Sequence, residues 1–159
     1  MQIQKMSRPH AEEVIEMMRT FYASPAVSTN GSEAIFRADV EACVGDSPYL
    51  EGYVFLEDNR IVGYGMLAKS FSTEFGKPCI WIEDSFLLPV CRGRGYGSAF
   101  LSFVEASYPE AILRLEVEEE NEIALHTYQK NGFDTLPYME MKKNDGSSPT
   151  SATKPQKRG

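Results

Sequence analysis

The chain has 159 residues, of which 42% are hydrophobic, and its formal net charge is −7. This length and apolar content suit one folded domain with one core. The negative charge disfavours nucleic acid as a partner. No apolar run approaches the roughly 20 residues that a membrane span needs. The first ten residues lack the apolar stretch of a secretion signal, so we expect a cytoplasmic protein that binds no membrane.

The three cysteines, Cys43, Cys79 and Cys91, are widely spaced. They form no CxxC pair, and no histidine lies near them in the sequence to complete a group of metal ligands. We therefore expect neither a disulfide nor a metal site.

The C-terminal residues 144–159 are rich in Ser, Thr, Pro, Lys and Gly and show no periodicity. Such a composition cannot bury enough apolar surface to offset the entropy lost on ordering. Three basic residues and one acidic residue give this segment a net charge of +2, so residues 1–143 carry −9. The sequence predicts a domain over residues 1–143 and a flexible basic tail over 144–159.

The N-terminal part of the chain predicts a strand followed by two helices. Residues 1–5 alternate weakly, as a short strand does. Ser7 precedes a segment whose apolar residues recur at i, i+3, i+4 and i+7, which predicts a helix to about Tyr22. The Ser-, Pro-, Asn- and Gly-rich residues 23–31 predict a loop, and Ser32 predicts the cap of a second helix.

The middle of the chain predicts three antiparallel strands in succession. Residues 49–56 and 61–71 are rich in β-forming residues and are separated by a turn at 57–60. Residues 79–88 predict a third strand, which Pro89 ends.

The C-terminal half predicts a return to alternating helix and strand. Gly97 opens a helix and residues 111–117 predict a strand, so this unit predicts a parallel strand pair. Asn121 predicts the cap of a last helix that ends near Asn131, and residues 133–143 predict a closing strand or hairpin arm. The expected fold class is α+β, with a mixed, mostly antiparallel central sheet and about four helices.

The stretch Arg92-Gly93-Arg94-Gly95-Tyr96-Gly97 lies between a predicted strand and a predicted helix. Its glycines allow successive N–H groups to face one concavity at a helix N-terminus, which is an anion-binding arrangement. The dinucleotide motif G-x-G-x-x-G does not match, because Ser98 stands at its last position. The ATP-binding loop does not match either, since it needs a lysine. The alternative is a glycine-rich turn that only caps a helix.

These residues resemble the pyrophosphate loop of the GNAT family of N-acetyltransferases, which reads Q/R-x-x-G-x-G/A and is matched by Arg92, Gly95 and Gly97. Leu87-Leu88-Pro89 is similar to the V-x-P that precedes this loop in the family. Asn121 and the stretch 124–133, ALHTYQKNGF, are similar to the family's N and A-x-x-x-Y-x-K-x-G-F. The resemblance covers roughly residues 53–141 and implies the acyl-CoA N-acyltransferase fold, with a splayed pair of parallel strands.

The resemblance implies that acetyl-CoA is the co-substrate. Its pyrophosphate would lie on the backbone of the loop, and its pantetheine arm would pair with a strand edge. The implied loop residues are Arg92, Gly93, Arg94, Gly95, Tyr96, Gly97 and Ser98. The implied strand residues are Phe86, Leu87 and Leu88. Asn121 and Lys130 are further implied cofactor contacts, although both residues also suit the ends of a helix.

Acyl transfer to an amine requires a base, a donor to the oxyanion and an acid for the departing thiolate. Glu83 is the first candidate base, because a regular strand would place it on one face with Trp81, Ser85 and Leu87. Asp84 would point the other way, and a β-bulge would reverse this assignment. The alternative for both carboxylates is a solvent-facing or ion-paired role.

The Leu87 amide is the expected donor to the oxyanion. Tyr128 stands at the position of the family's acid, and a phenol remains protonated at pH 7. The alternative for Tyr128 is a packing role in the core.

The acceptor would be set by the first two helices, where Phe21, Tyr22, Glu33 and Asp46 are candidates to line an acidic, aromatic pocket. The first hypothesis is transfer of acetyl to a primary amine of a small cationic molecule by direct attack on the thioester. The alternatives are acetylation of a protein lysine or N-terminus, and a noncatalytic acyl-CoA sensor. The resemblance also implies a possible homodimer.

Overall fold

The computed structural model describes residues 1–27 and 31–143. Within these residues the chain forms one five-stranded sheet, in the order β1-β2-β3-β4-β5, and four α-helices. The elements are β1 Gln2–Lys5, α1 Ala11–Tyr22, α2 Glu33–Val44, β2 Leu50–Glu57, β3 Arg60–Ser72, β4 Lys77–Leu87, α3 Tyr96–Ser107, β5 Ile112–Leu115 and α4 Glu122–Lys130. The predicted fold class is confirmed.

The first four strands pair in antiparallel order along the sheet, as the succession of hairpins predicts. The β2–β3 turn is formed by Asp58 and Asn59, whose φ angles are 50° and 60°. Asp and Asn tolerate this left-handed conformation better than most residues, and two such residues match the twist of the flanking strands. The turn therefore fixes the register in which Glu57 pairs with Arg60.

The strand β5 joins the sheet parallel to β4, with α3 as the crossover between them. Its four residues pair from Cys79 with Ile112 to Ile82 with Leu115. This strand is shorter than the predicted 111–117, because the pairing with β4 stops at Leu115. The arrangement confirms the predicted parallel pair.

Helices cover both faces of the sheet, so the core has two layers. One layer packs α1 and α2 against the sheet, and the other packs α3 against the opposite face. Phe100 of α3 is fully buried against Gly65. A Cβ atom at position 65 would lie only 2.3 Å from the Phe100 ring and would clash with it. A glycine at position 65 thus lets α3 approach the sheet closely.

The local signals for helix ends are confirmed at Ser32 and Gly132. The Ser32 side chain accepts a hydrogen bond from the Ile35 amide at 3.3 Å, which caps α2. Gly132, just after α4, adopts a φ of 86°, the left-handed conformation that ends helices. Part of the predicted loop, residues 28–30, and the whole predicted tail, 144–159, lie outside the described residues.

The predicted closing strand over residues 133–143 is wrong. These residues form no strand and are mostly exposed, and Pro137 interrupts them. A proline in the middle of this segment removes a backbone donor that a strand pairing needs. Consequently β5 is the last strand of the sheet within the described residues. No helix in residues 1–27 and 31–143 is long and apolar enough to cross a membrane.

Phe100→Ala should reduce the free energy of unfolding by about 3–5 kcal/mol, because it deletes a fully buried ring and leaves a cavity. Denaturant unfolding measures this loss. Phe71→Ala is the matched control, since Phe71 is 62% exposed and its loss should change stability little. Equal losses in the two variants would contradict the described core.

Candidate active site

The sheet opens beside the second half of β4. Pairing between β4 and β5 ends at Ile82, so residues 83–87 of β4 have β3 on one side only within the described structure. The Leu88 amide donates to the Val62 carbonyl at 2.9 Å, toward β3. Because backbone groups alternate in direction along a strand, the N–H and C=O of Leu87 point toward the open edge. The predicted splay is present, and Leu87 offers it a donor and an acceptor.

A β-bulge interrupts β4 at the start of this open edge. Leu67 pairs with Ile82 and Met66 pairs with Asp84, so Glu83 is the extra residue. The expectation that Glu83 shares a face with Trp81, Ser85 and Leu87 is therefore wrong. Leu87 packs in the layer that contains α3, and alternation puts Ser85 on the same face, whereas Trp81 lines a cleft together with Phe21 and Tyr22 of α1. The bulge turns Asp84 toward α1, which is the reversal that a bulge was expected to cause.

Asp84 is a buried carboxylate held by two tyrosines. Its side chain is 6% exposed, and it accepts hydrogen bonds from the Tyr22 hydroxyl at 3.0 Å and the Tyr64 hydroxyl at 2.9 Å. Burial raises the pKa of Asp84, and the two hydrogen bonds oppose that rise without cancelling it. The same burial and the charge of Asp84 raise the pKa of both tyrosines, so both phenols stay protonated as donors.

Asp84 lies on a cleft of about 1330 Å³ between α1, the β4–β5 opening and α4. Phe21 and Tyr22 of α1 line this cleft, as predicted, and so does Trp81. Its carboxylate lining consists of Glu83, Asp84, Glu116, Glu118, Glu105, Asp134 and Glu140. No three His, Cys, Asp or Glu side chains in the described ranges are arranged to hold a metal ion.

Three further carboxyl groups have raised pKa values, because partial burial and neighbouring negative charges disfavour ionisation. The pKa of Asp39 on α2 rises to about 6, through burial and the charges of Asp84 and Glu83. The pKa of Glu116, just after β5, rises to about 7, through burial and its contact with the Glu140 carboxyl. The pKa of Glu83 is raised by burial, Asp84 and Glu140. The cleft concentrates negative charge.

The sequence reasoning missed Glu116, Asp39 and Tyr64. A signal existed for Glu116, since it ends an apolar strand and alternation places it on the same face as Arg114, whose guanidinium lies 4.5 Å from the Trp81 ring centre. No local signal existed for Tyr64, because a tyrosine within an apolar strand is typical of core packing. No local signal existed for Asp39 either, since it is one polar residue on a helix.

Two of the expected pocket residues lie elsewhere. Glu33 forms ion pairs with Arg19 and Arg37 on the outer surface of the α1–α2 pair. Asp46 is exposed in the turn that follows α2. Both expectations are wrong, because Glu33 and Asp46 lie toward solvent and not toward the cleft.

Tyr128 lies on α4 at the opposite side of the cleft from α1 and contacts the Phe133 ring, with 5.9 Å between ring centres. Burial alone raises the pKa of Tyr128. Its phenol is therefore protonated at neutral pH, which both an acid role and a packing role permit.

The glycine-rich loop leads from β4 into the N-terminus of α3. Gly93 and Gly95 have φ angles of 71° and 81°, a conformation that glycine adopts without strain. The Ala99 amide donates to the Gly95 carbonyl at 2.9 Å as the first bond of the helix. The amides of Tyr96, Gly97 and Ser98 precede that bond, so they are the helix N-terminal donors that suit an anion. The loop residues fit a pyrophosphate.

The two loop arginines have different surroundings. The Arg92 Nε atom donates to the Leu87 carbonyl at 3.1 Å, and its guanidinium lies 5.8 Å from the Phe86 ring centre. The Arg94 guanidinium forms a two-point ion pair with Glu57 at 2.8 and 2.5 Å. The charge of Arg94 is thus already paired within the chain.

The remaining cofactor candidates lie on α4 or face it. Asn121 caps α4, since its side chain accepts from the Ala124 amide at 3.2 Å. The Asn131 amide group donates to the Ser98 hydroxyl at 2.9 Å, which ties the end of α4 to the start of α3. Lys130 is exposed in the last turn of α4, where a cation complements the helix dipole.

The open, mixed sheet that splays beside a glycine-rich loop is the fold of the acyl-CoA N-acyltransferases. A family model described as "Acetyltransferase (GNAT) family" matches residues 12–133. The chain therefore belongs to the GNAT family and is an N-acetyltransferase. A search of curated proteins found no match.

Solved structures share the fold at low sequence identity. An integron cassette protein from the mobile metagenome of Cole Harbour Salt Marsh is 22% identical over 90% of each chain, with a TM-score of 0.75. A possible acetyltransferase from Clostridium difficile 630 is 15% identical, over 90% of this chain and 96% of its own, with a TM-score of 0.77. The aminoglycoside N-acetyltransferase AAC(6')-Iy in complex with CoA is 17% identical, over 91% and 94%, with a TM-score of 0.73.

The raised carboxyl pKa values predict that stability falls as pH rises. Between about pH 4, where these groups titrate when unfolded, and their folded values near 6 and 7, the folded protein binds more protons than the unfolded chain. Unfolding free energy should thus be lower at pH 8 than at pH 5.5. Glu51 and Glu57, whose pKa values fall to about 2, are ionised throughout this window and do not change the slope.

Denaturant unfolding across this pH range measures the slope. Asp39→Asn should flatten it, whereas Asp46→Asn, which removes an exposed acid just after the same helix, should leave it unchanged. A slope of the opposite sign in the wild-type protein would contradict the described cleft.

Proposed function

We propose that this protein transfers the acetyl group of acetyl-CoA to a primary amine of a small cationic molecule, by direct attack of the amine on the thioester. The observation that carries this proposal is the position of Leu87. Its backbone groups are paired with no strand in the described part of the chain and lie at an open edge of β4, which begins beside the acidic cleft and ends at the amide-lined loop.

The cofactor side of the proposal uses backbone groups. The loop amides and the N-terminus of α3 would hold the pyrophosphate, and the edge of β4 at Leu87 would pair with an amide of the pantetheine arm. Arg92 now donates to the Leu87 carbonyl, so its side chain would have to move away when that carbonyl accepts from the cofactor. Arg92 would then be available as a positive charge near the phosphates.

The acceptor side of the proposal rests on charge and aromatic surface. A buried carboxylate is unfavourable without a cation, and an alkylammonium bound in the cleft would supply one to Asp84. Phe21, Tyr22 and Trp81 present aromatic rings to the same space. A structural relative, AAC(6')-Iy, has been solved with a bisubstrate analogue of CoA and acetylneamine. These features support a small acceptor with more than one positive charge.

The chemistry then needs two protons removed from the nitrogen and one supplied to the sulfur. Glu83 would accept a proton from the ammonium, directly or through water, so that the neutral nitrogen can attack the carbonyl carbon. The Leu87 amide would donate to the carbonyl oxygen as it becomes negative. After the C–N bond forms and as the C–S bond breaks, Tyr128 would give its proton to the departing sulfur. The nitrogen would lose its second proton to water as it becomes an amide, and water would return a proton to the Tyr128 phenolate.

Thiol release in the presence of acetyl-CoA and a panel of amines tests this function, together with isothermal titration of acetyl-CoA. We expect binding, and turnover with a polyamine or aminoglycoside. Tyr128→Phe should lower kcat by about 10- to 100-fold, as loss of an acid does, with nearly unchanged cofactor affinity. Turnover only with peptide amines would favour protein acetylation. Binding without turnover, and no effect of Tyr128→Phe, would favour a sensor.

Variants of the two exposed cleft carboxylates identify the base. If Glu83 is the base, Glu83→Gln should lower kcat/KM by roughly 100-fold, within the usual range for general base catalysis, and Glu116→Gln by much less. If Glu116 is the base, Glu116→Gln should abolish the rise of activity near pH 7. Glu83→Gln would then only move that rise to lower pH, because the charge of Glu83 raises the pKa of Glu116.

The pH profile of kcat/KM for each variant decides between these outcomes. Glu110→Gln is the control, since Glu110 is an exposed acid in the connection between α3 and β5. Wild-type profiles in both variants would exclude a direct role for either carboxylate.

A further inference from the structure

The loop that would hold the pyrophosphate is fastened to the β2–β3 hairpin by one carboxylate. Glu57 accepts hydrogen bonds from both terminal nitrogens of Arg94, at 2.8 and 2.5 Å, and the Tyr96 hydroxyl donates to the same carboxylate. The Arg94 guanidinium also lies 4.8 Å from the centre of the Tyr96 ring. All three side chains contact one another, and we call them the Glu57 clasp.

The clasp joins a rigid element to a loop that glycine makes permissive. Glu57 pairs with Arg60 across a two-residue turn, so its backbone is fixed by the sheet. Arg94 stands between Gly93 and Gly95, the two residues of the loop with left-handed φ angles. Glycine has many accessible conformations, so holding this one requires contacts from elsewhere. Arg94 supplies them through its side chain.

The second arm of the clasp acts on the helix. Tyr96 is the first residue of α3 and is partly buried, and its hydroxyl donates to Glu57. A bond from this residue to the hairpin sets where the helix N-terminus points relative to the end of β4. The amides that face the proposed pyrophosphate belong to the same turn.

The electrostatic balance of the clasp argues against Arg94 as a phosphate ligand. Its guanidinium makes a fork-to-fork pair, which is the strongest geometry between arginine and a carboxylate. A phosphate that recruited Arg94 would have to break that pair and would face the exposed charge of Glu57. Within residues 1–27 and 31–143, Arg92 forms no ion pair with a carboxylate, and its contacts are a backbone carbonyl and a ring face.

Resting on the proposed function, we propose that Glu57 is a positioning residue for coenzyme A. Its carboxylate clamps Arg94 and Tyr96, and so holds the loop amides in the conformation that binds the pyrophosphate. Arg94 acts on the loop and not on the phosphates. In the opposite role, Glu57 would compete with the phosphates for Arg94. Loss of the Glu57 charge would weaken coenzyme A binding in the first role and strengthen it in the second.

Isothermal titration of coenzyme A into wild-type protein, Glu57→Gln and Asp58→Asn separates the two roles. The clasp predicts about tenfold weaker binding for Glu57→Gln, a size typical of losing charge-assisted hydrogen bonds. Asp58→Asn removes the same charge one residue away, in a position where asparagine is tolerated, and should change affinity less than twofold. Equal or tighter binding by Glu57→Gln would overturn the proposal.

Arg94→Lys gives a second test that keeps the positive charge. Lysine cannot form the fork, so the clasp predicts weaker coenzyme A binding, whereas a phosphate contact predicts that affinity is retained. The double variant Glu57→Gln, Arg94→Lys should bind no more weakly than the worse single variant, because both changes break one unit. Additive losses would overturn the proposal.

Steady-state kinetics and thermal unfolding complete the experiment. The clasp predicts a higher KM for acetyl-CoA with kcat and the KM for the amine nearly unchanged, and cooperative unfolding in every variant. Proportional loss of kcat and of folded protein would mean a general structural role and would overturn the proposal. Failure of the wild-type protein to bind coenzyme A would overturn the proposed function itself. That result is distinct from a failure of the clasp, which is measured by comparing the variants with a wild-type protein that binds.

Discussion

The structure depends on how far β5 stays paired with β4. The two strands share four residue pairs and part at Ile82, and the bulge at Glu83 begins at the same point. An unpaired strand edge inside a protein leaves backbone donors and acceptors unsatisfied unless a ligand or solvent meets them. The parting therefore creates the opening and also the groups that recognise what enters it. The antiparallel register with β3 continues to Leu87, so the opened half of β4 keeps its position.

The cleft is electrostatically unfavourable in the free protein. Asp84 is buried, and the pKa values of Asp39, Glu83 and Glu116 are raised in part by one another or by Asp84. Within the described residues, the positive charge of Arg114 lowers the pKa of Glu116, but this is the smallest of the effects on that pKa. A site that retains such charge gives up stability for function. A cationic ligand would remove the repulsion on binding, so under the proposed function the same feature that destabilises the free protein would favour a polyamine over a neutral amine.

Local sequence patterns predicted most of the helices and strands, whereas contacts between residues distant in the sequence form the candidate site. Helix caps, the hairpin turn and the glycine-rich loop depend on neighbours within a few residues, so the sequence was enough. The bulge at Glu83 was not predictable, because the residues around it alternate as a regular strand does and only the pairing with β3 shows the extra residue. Asp84 meets Tyr22 and Tyr64 across 62 and 20 residues, and Glu57 meets Arg94 across 37. The predicted strand over residues 133–143 is absent, because Pro137 removes a backbone donor in the middle of that segment.

The direction of proton transfer follows from which groups have shifted and how. Desolvation raises the pKa of the carboxyl groups on the α1 side of the opening and also the pKa of Tyr128 on the α4 side. For a carboxylate, a higher pKa means a stronger base, closer in proton affinity to the amine it must deprotonate. For Tyr128, a higher pKa keeps the phenol protonated at neutral pH, as the proposed acid must be before it meets a thiolate. One physical cause, burial around the splayed strands, thus raises the pKa of the proposed base and of the proposed acid on the two sides of Leu87, and the proposed reaction would need the two groups to be separated in this way.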